Sequence, residues 1–139
     1  MDCGPAALAI LLQGHGVHAH VGRLREACQA DVDGTSLDAL EEVCQRLGLD
    51  AEQGLLPVDH LLLPEATALP ALVVTRTPSG LLHFVVLWAR LGPLVQVSDP
   101  AVGRRWVAAE RRSMHLERHT TIPPTMHSSC CWSIAKPWP

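Results

Sequence analysis

Hydrophobic positions along this chain change their period once, close to Gly48. Before that point they recur at helical spacing; after it they fall in short apolar runs separated by Gly and Pro. The segment Pro5 to Gln13 is made of strong helix formers, Ala-Ala-Leu-Ala-Ile-Leu-Leu, and is followed by the terminators Gly14 and Gly16. Its apolar residues wrap most of the way round, which predicts a buried central helix rather than a surface one. A second, short helix is predicted over Val21 to Gln29 with Leu24, Ala27 and Cys28 inward. An Asp31-Val32-Asp33-Gly34 turn follows. Thr35 or Ser36 then caps a third helix, whose Leu37, Leu40, Val43, Cys44 and Leu47 share one face and whose end is closed by Gly48.

The second half reads differently. Leu49 to Leu56 fits no single period, an edge strand being one option, and Val58 to Leu63 suits a short helical turn before Pro64. Pro70 opens a strand, Ala71 to Arg76. A Pro78-Ser79-Gly80 turn leads into a second, Leu81 to Arg90, and Leu91-Gly92-Pro93 into a third, Leu94 to Ser98. An antiparallel meander behind a helical first half defines an α+β fold. Trp106 to Leu116 is compatible with one more helix. From Arg111 the periodicity is lost, so a domain over residues 1–110 with an irregular or partly disordered 111–139 tail is expected.

Composition narrows the function classes. A chain of 139 residues with 47% hydrophobic and 18% charged residues is the size and character of one globular domain. Its net charge of −3 supplies no basic footprint for nucleic acid. The five cysteines, Cys3, Cys28, Cys44, Cys130 and Cys131, form neither a Cys-x-x-Cys nor a disulfide spacing, which fits a reducing, cytoplasmic setting. No signal peptide is expected before residue 2, and the most apolar stretch, Leu81 to Val97, is interrupted by His83, Arg90, Gly92 and Pro93. The loop holding His15, His18 and His20 has no carboxylate or cysteine at ligand spacing, so solvated histidines are expected there and no metal. Asp31 and Asp33 lack the rest of a calcium loop.

The chemistry centres on Asp2-Cys3-Gly4-Pro5. Proline suits a helix's first turn, so Cys3 is predicted at a helix N-terminus, where free N–H groups and the dipole favour a thiolate. Gly4 leaves the sulfur uncrowded, and Asp2 is placed to cap the helix. A capped helix with a small buried cysteine fits the same stretch equally well; a partner histidine decides between the two. The second hairpin offers one. With its turn centred near Leu91, His83 is predicted opposite Asp99, Val85 opposite Val97 and Leu87 opposite Val95, on shared faces. A one-residue shift in the turn would put His83 and Asp99 on opposite faces. A cysteine, a histidine and an aspartate orienting it constitute the nucleophile–base–orienter set of a thiol hydrolase.

Asp2-Cys3-Gly4-Pro5-Ala6, Gly34-Thr35-Ser36-Leu37, Leu47-Gly48-Leu49, His83-Phe84-Val85-Val86-Leu87 and Asp99-Pro100-Ala101-x-Gly103, in this order and spacing, resemble the bacteriocin-processing cysteine peptidases, which are papain-like. The resemblance spans residues 1 to about 110. It implies Cys3 as nucleophile, His83 as general base and then acid to the leaving amine, and Asp99 as the group orienting His83. It implies a precursor peptide whose leader ends in Gly-Gly or Gly-Ala, cut just after that pair and read as an amphipathic helix in an apolar groove. It also implies an ABC exporter as partner, at the inner face of the cytoplasmic membrane, and no cofactor, metal or nucleotide for the hydrolysis.

One departure concerns the oxyanion. The family pattern carries a glutamine a few residues before the cysteine, whereas Met1 stands two residues before Cys3, and Gln13 lies on the wrong side of the motif. Either Met1 is internal to a longer protein or one oxyanion donor is missing, a loss typically costing about a hundredfold or more in turnover. Two further readings follow: a leader-binding docking domain without turnover, and a papain-like amidase or acyl transferase using the same triad.

Overall fold

The computed structural model describes residues 2–30, 34–55, 58–76, 79–109 and 130–137. Three helices come first: α1 (Cys3–Gly14), α2 (Val21–Ala27) and α3 (Leu37–Arg46). Strand β1 (Leu49–Leu55), a helical turn α4 (Val58–Leu61) and a 3-10 turn over Pro64–Ala66 lead into β2 (Ala71–Arg76), β3 (Leu82–Leu91), β4 (Leu94–Asp99), β5 (Gly103–Ala108) and β6 (Cys130–Pro137). Among the described residues, six strands make one antiparallel sheet in the order β1-β6-β2-β3-β4-β5.

Each face of the sheet carries its own core. Alternation along β2 and β3 sends Leu72, Phe84 and Val86 to one face, where Leu8, Leu11 and Leu12 of α1 and Leu40 and Cys44 of α3 bury against them. Ala71, Val73, Val85, Leu87, Val95 and Val97 go to the other, under Leu61, Leu62 and Ala68. Helix α1 is central because its buried residues leave no polar stripe, and it lies across β2, β3 and β4. Burying a leucine fully is worth about 1.5–3 kcal/mol, so Leu8, Leu11 and Leu12, all at 0% exposure, fasten α1 to the sheet.

Local signals are met in α3, where Ser36 Oγ accepts from the Ala39 N–H at 3.2 Å and Gly48 takes φ +81° past the end. The start of α1 differs from expectation. Asp2 makes no side-chain cap; its carboxylate pairs instead with Arg25 Nε of α2 at 3.2 Å, and the helix begins at Cys3 rather than Pro5. The histidine loop is not simply solvated. His20 Nδ1 accepts from the Gly22 N–H and so caps α2, and the His15 ring lies against Trp88 with centroids 6.4 Å apart.

Three further expectations change. Trp106 belongs to strand β5, not to a helix: after Gly103 at φ +101° the chain turns back and pairs with β4. The remainder of that expected helix, 110–116, lies outside the described residues, as do the Asp31–Asp33 turn and Pro78 of the first hairpin turn. Residues 130–137, assigned by the sequence pattern to the tail, form β6 between β1 and β2.

The register of β3 with β4 is the third. Next to the Gly92-Pro93 turn, Leu91 faces Leu94, Arg90 faces Val95 and Ala89 faces Gln96. Beyond Trp88 the pairs become Leu87 with Val97 and Val86 with Ser98, so Trp88 is the extra residue of a β-bulge. Leu87 therefore faces Val97 rather than Val95, and His83 is not the ladder partner of Asp99.

Candidate active site

His83 stands second in β3, and Asp99 ends β4 just before Pro100. Carried one pair further, the register beyond the bulge sets Asp99 opposite Val85, on the face that His83 shares and two residues along. The side chains meet on this diagonal: His83 Nε2 lies 2.9 Å from Asp99 Oδ1. They are only 16% and 12% exposed, so the contact is largely shielded from water.

The carboxylate is itself held. Asp99 Oδ1 accepts the Ala101 N–H at 2.8 Å, an Asx turn two residues on. Burial alone would raise its pKa. The Ala101 N–H, the hydrogen bond and charge of His83 and the charge of Arg105 together outweigh that, leaving the carboxyl below its ordinary range. An ionised Asp99 accepts, so Nε2 of a neutral His83 carries the proton and Nδ1 is left with a lone pair.

Cys3 opens α1 above the start of β3. Its thiol is partly exposed, and Sγ lies 3.9 Å from the Leu82 carbonyl oxygen, so the sulfur stands over the peptide joining Leu82 to His83. The thiol's hydrogen bond is to that carbonyl and the imidazole's to Asp99. In unliganded sites such contacts commonly tighten only when substrate binds. Gly4 does more than leave the sulfur uncrowded: a Cβ there would lie 3.1 Å from Thr35 Cβ and 3.5 Å from Phe84 Cε2. The absence of a side chain lets the first turn of α1 settle on Thr35 and on the residue after His83. The Thr35 hydroxyl is buried there without a hydrogen-bond partner.

The other described thiols are interior. Burial pushes Cys28 up to about 11, and burial with the nearby Cys28 and Glu41 pushes Cys44 up to about 12. Both belong to the core, as the spacing of α3 predicts for Cys44. Gln13 sits near the far end of α1, away from Cys3. Among the described residues no group of three His, Cys, Asp or Glu is arranged to hold a metal ion. No helix among them is long and apolar enough to cross a membrane.

Two features of the site were missed from sequence. The Ala101 amide was legible, since Asp-Pro-Ala is a turn signal in which an aspartate bonds the backbone two residues on. The bulge at Trp88 had no local signal. It depends on what the indole touches: Nε1–H donates to Ser98 Oγ at 2.8 Å, and the Arg104 guanidinium lies 5.2 Å from the ring centroid.

A helix opened by a cysteine, lying across an antiparallel sheet that carries a histidine–aspartate pair, is the papain-like class of α+β fold. The chain belongs to the peptidase C39 family, whose model matches residues 1–115. It is 30% identical over 103 residues to the lactococcin-G-processing and transport ATP-binding protein LagD of Lactococcus lactis subsp. lactis, covering 74% of this chain and 14% of that protein. It is 27% identical, with the same coverage, to the transport/processing ATP-binding protein ComA of Streptococcus pneumoniae. The chain thus spans about one seventh of the length of these relatives. Its fold is that of the peptidase domain of Streptococcus ComA, a bi-functional ABC transporter of a quorum-sensing pathway, with TM-score 0.75, 20% identity and coverage of 96% of this chain and 90% of the other. It likewise matches a double glycine motif protease from an AMS/PCAT transporter in complex with the leader peptide, with TM-score 0.72, 21% identity and coverage of 95% and 82%.

Proposed function

We propose that this domain is a thiol endopeptidase that removes the leader of a precursor peptide just after a Gly-Gly or Gly-Ala pair, with Cys3, His83 and Asp99 as its catalytic set. The observation that carries the reading is the 2.9 Å contact between His83 Nε2 and Asp99 Oδ1 directly beside the peptide over which the Cys3 thiol stands. Membership of the C39 family supports the reaction class.

In this reading Asp99 fixes the His83 tautomer, and Nδ1 takes the thiol proton as sulfur attacks the glycine carbonyl. The backbone N–H of Cys3, which precedes the first intrahelical acceptor of α1, receives the developing oxyanion. His83 returns the proton to the leaving amine, and water then hydrolyses the thioester with His83 again as base. The steps need small residues before the cut, because the sulfur lies close to the β3 backbone.

The leader would lie along the outer face of α1. Ala6, Ala9 and Ile10, with Val21 on one side and Pro100 on the other, line an apolar trough of about 580 Å³ that begins one turn from Cys3. The transport/processing names of LagD and ComA support a working place beside an ABC exporter, at the inner face of the cytoplasmic membrane.

The test is incubation of a synthetic Gly-Gly leader peptide with wild type and with Cys3→Ala, followed by mass spectrometry. Cleavage after Gly-Gly that vanishes in Cys3→Ala is expected. Leader binding by both proteins with no cleavage by either would replace this reading with that of a docking domain. Adding a glutamine-bearing segment before Met1 then shows whether the oxyanion donor alone was limiting.

A further inference from the structure

The two strands that carry His83 and Asp99 do not bring them together by plain pairing. Were the pairing beside the Gly92-Pro93 turn continued without interruption, Asp99 would fall opposite Val86. It would then fall on the face of Phe84 and Val86, not on the Val85 face that His83 shares at the open end of the hairpin. One unpaired residue on β3 corrects this, and that residue is Trp88.

The indole is held from three directions. Nε1–H donates to Ser98 Oγ at 2.8 Å, next to Asp99 itself. Arg104 of β5 stacks over the ring at 5.2 Å and donates from Nε to the same Ser98 oxygen at 3.3 Å. On the third side the ring fills the space left by Gly14, where any Cβ would overlap it. Ser98 is 3% exposed, the buried polar residue of the described core, and its hydroxyl is the common acceptor of both contacts. A bulge free to sit at several places along the ladder is thereby pinned to one.

We infer that Trp88, pinned by Ser98, Arg104 and Gly14, is a positioning residue whose bulge places Asp99 on the same face as His83. The inference rests on the proposed roles of His83 and Asp99, yet its readout does not need turnover. Substituting Trp88 keeps the odd residue but removes its anchors, so the bulge loses its fixed place. Deleting Trp88 removes the odd residue, and a straight ladder then keeps Leu87 with Val97 and Val86 with Ser98. Deletion should therefore spare the His83–Asp99 contact better than substitution does, the reverse of what loss of packing alone would give.

The experiment compares wild type, Trp88→Ala, Trp88→Phe and the Trp88 deletion by NMR. Imidazole nitrogen shifts of His83 report the tautomer, and cross-strand contacts Ala89–Gln96 and Leu87–Val97 report the register. Wild type is expected to show the Nε2–H tautomer. Trp88→Ala is expected to show mixed tautomers and averaged register, with kcat falling about tenfold or more and KM little changed. The deletion is expected to keep the Nε2–H tautomer at a lower unfolding midpoint. If Trp88→Ala does not fold, Trp88→Phe, which keeps a ring but not the Ser98 bond, is read by the same signals.

Retention of the Nε2–H tautomer and a fixed register in the substituted protein would overturn the inference, as would a deletion no better than the substitution. Expected NMR results together with normal leader cleavage by Asp99→Asn would leave the register device standing and remove the proposed role of Asp99.

Discussion

Asp99 reaches His83 from two residues along the ladder, at 2.9 Å, rather than from directly across it. A diagonal contact of this kind joins two strand ends through side chains alone, so removing either group leaves the backbone pairing intact. Asp99→Asn should accordingly fold and keep its sheet. If the proposed triad is correct, it loses most of its leader cleavage, because an amide presents no anion to hold the Nε2–H tautomer. Comparing kcat of the two proteins on a Gly-Gly leader checks this; an unchanged kcat would remove Asp99 from the mechanism.

The same carboxylate makes stability depend on pH. Its folded-state pKa is depressed. Its contribution is therefore present above the unfolded carboxyl value of about 4 and is lost as pH falls through the lower folded value. Wild type should melt above Asp99→Asn near neutral pH, and the gap should close as pH drops below about 4. Melting temperatures of both proteins across that range give the answer, and a gap independent of pH would contradict it.

Thiol chemistry should single out Cys3 among the three cysteines whose surroundings are described. Cys28 and Cys44 are buried at 1% and 0% exposure and are pushed up to about 11 and about 12. Brief native alkylation with peptide mapping should label the Cys3 peptide and leave the Cys28 and Cys44 peptides unmodified until denaturant is added. Equal labelling of all three would mean that the α2–α3 core opens readily.

Two glycines of α1 should respond to alanine in different ways, one in stability and the other in cleavage. At Gly14 helix propensity favours alanine by about 1 kcal/mol. Overlap with the rigid Trp88 indole outweighs that, as overpacking usually costs about 1–3 kcal/mol. A net lower urea midpoint is expected. At Gly4 the added carbon meets Thr35 Cβ at 3.1 Å, a crowding of only a few tenths of an ångström. Stability should change little, while the first turn shifts under Cys3 and leader cleavage falls. Urea melts and cleavage rates measured on both variants separate the two outcomes.

A chain ending at Ala109 lacks β6, which pairs with β1 along its whole length and with the start of β2. Both strands would lose ladder partners in the interior of the sheet. The shortened protein should unfold at a clearly lower urea concentration than the full chain. An equal midpoint would show that residues 1–109 carry the fold by themselves.

Much of this was legible in the residues because it is local. Ser36, the Leu37–Leu40–Val43–Cys44 face and Gly48 define α3 within a dozen positions, and Cys3 ahead of Pro5 defines a helix start. What failed was set by distant partners. Asp2 turned from the α1 cap to Arg25 of α2, and Trp106 joined β5 because a turn at Gly103 returned it to β4. The hairpin register depended on an indole whose place is decided by Gly14, Ser98 and Arg104. His83 and Asp99 were nevertheless assigned to one face, since the expected and observed registers differ there by an even number of residues.

The position of β6 gives the fold a history. During synthesis β1 leaves the ribosome with α3, and β2 to β5 follow as a meander with α1 already waiting, yet the strand that joins these two pieces comes last. Cys3, His83 and Asp99 all lie in the segments made before it. The nascent chain thus holds the groups of the site before it has a continuous sheet, and β6 is the seam that makes the sheet continuous.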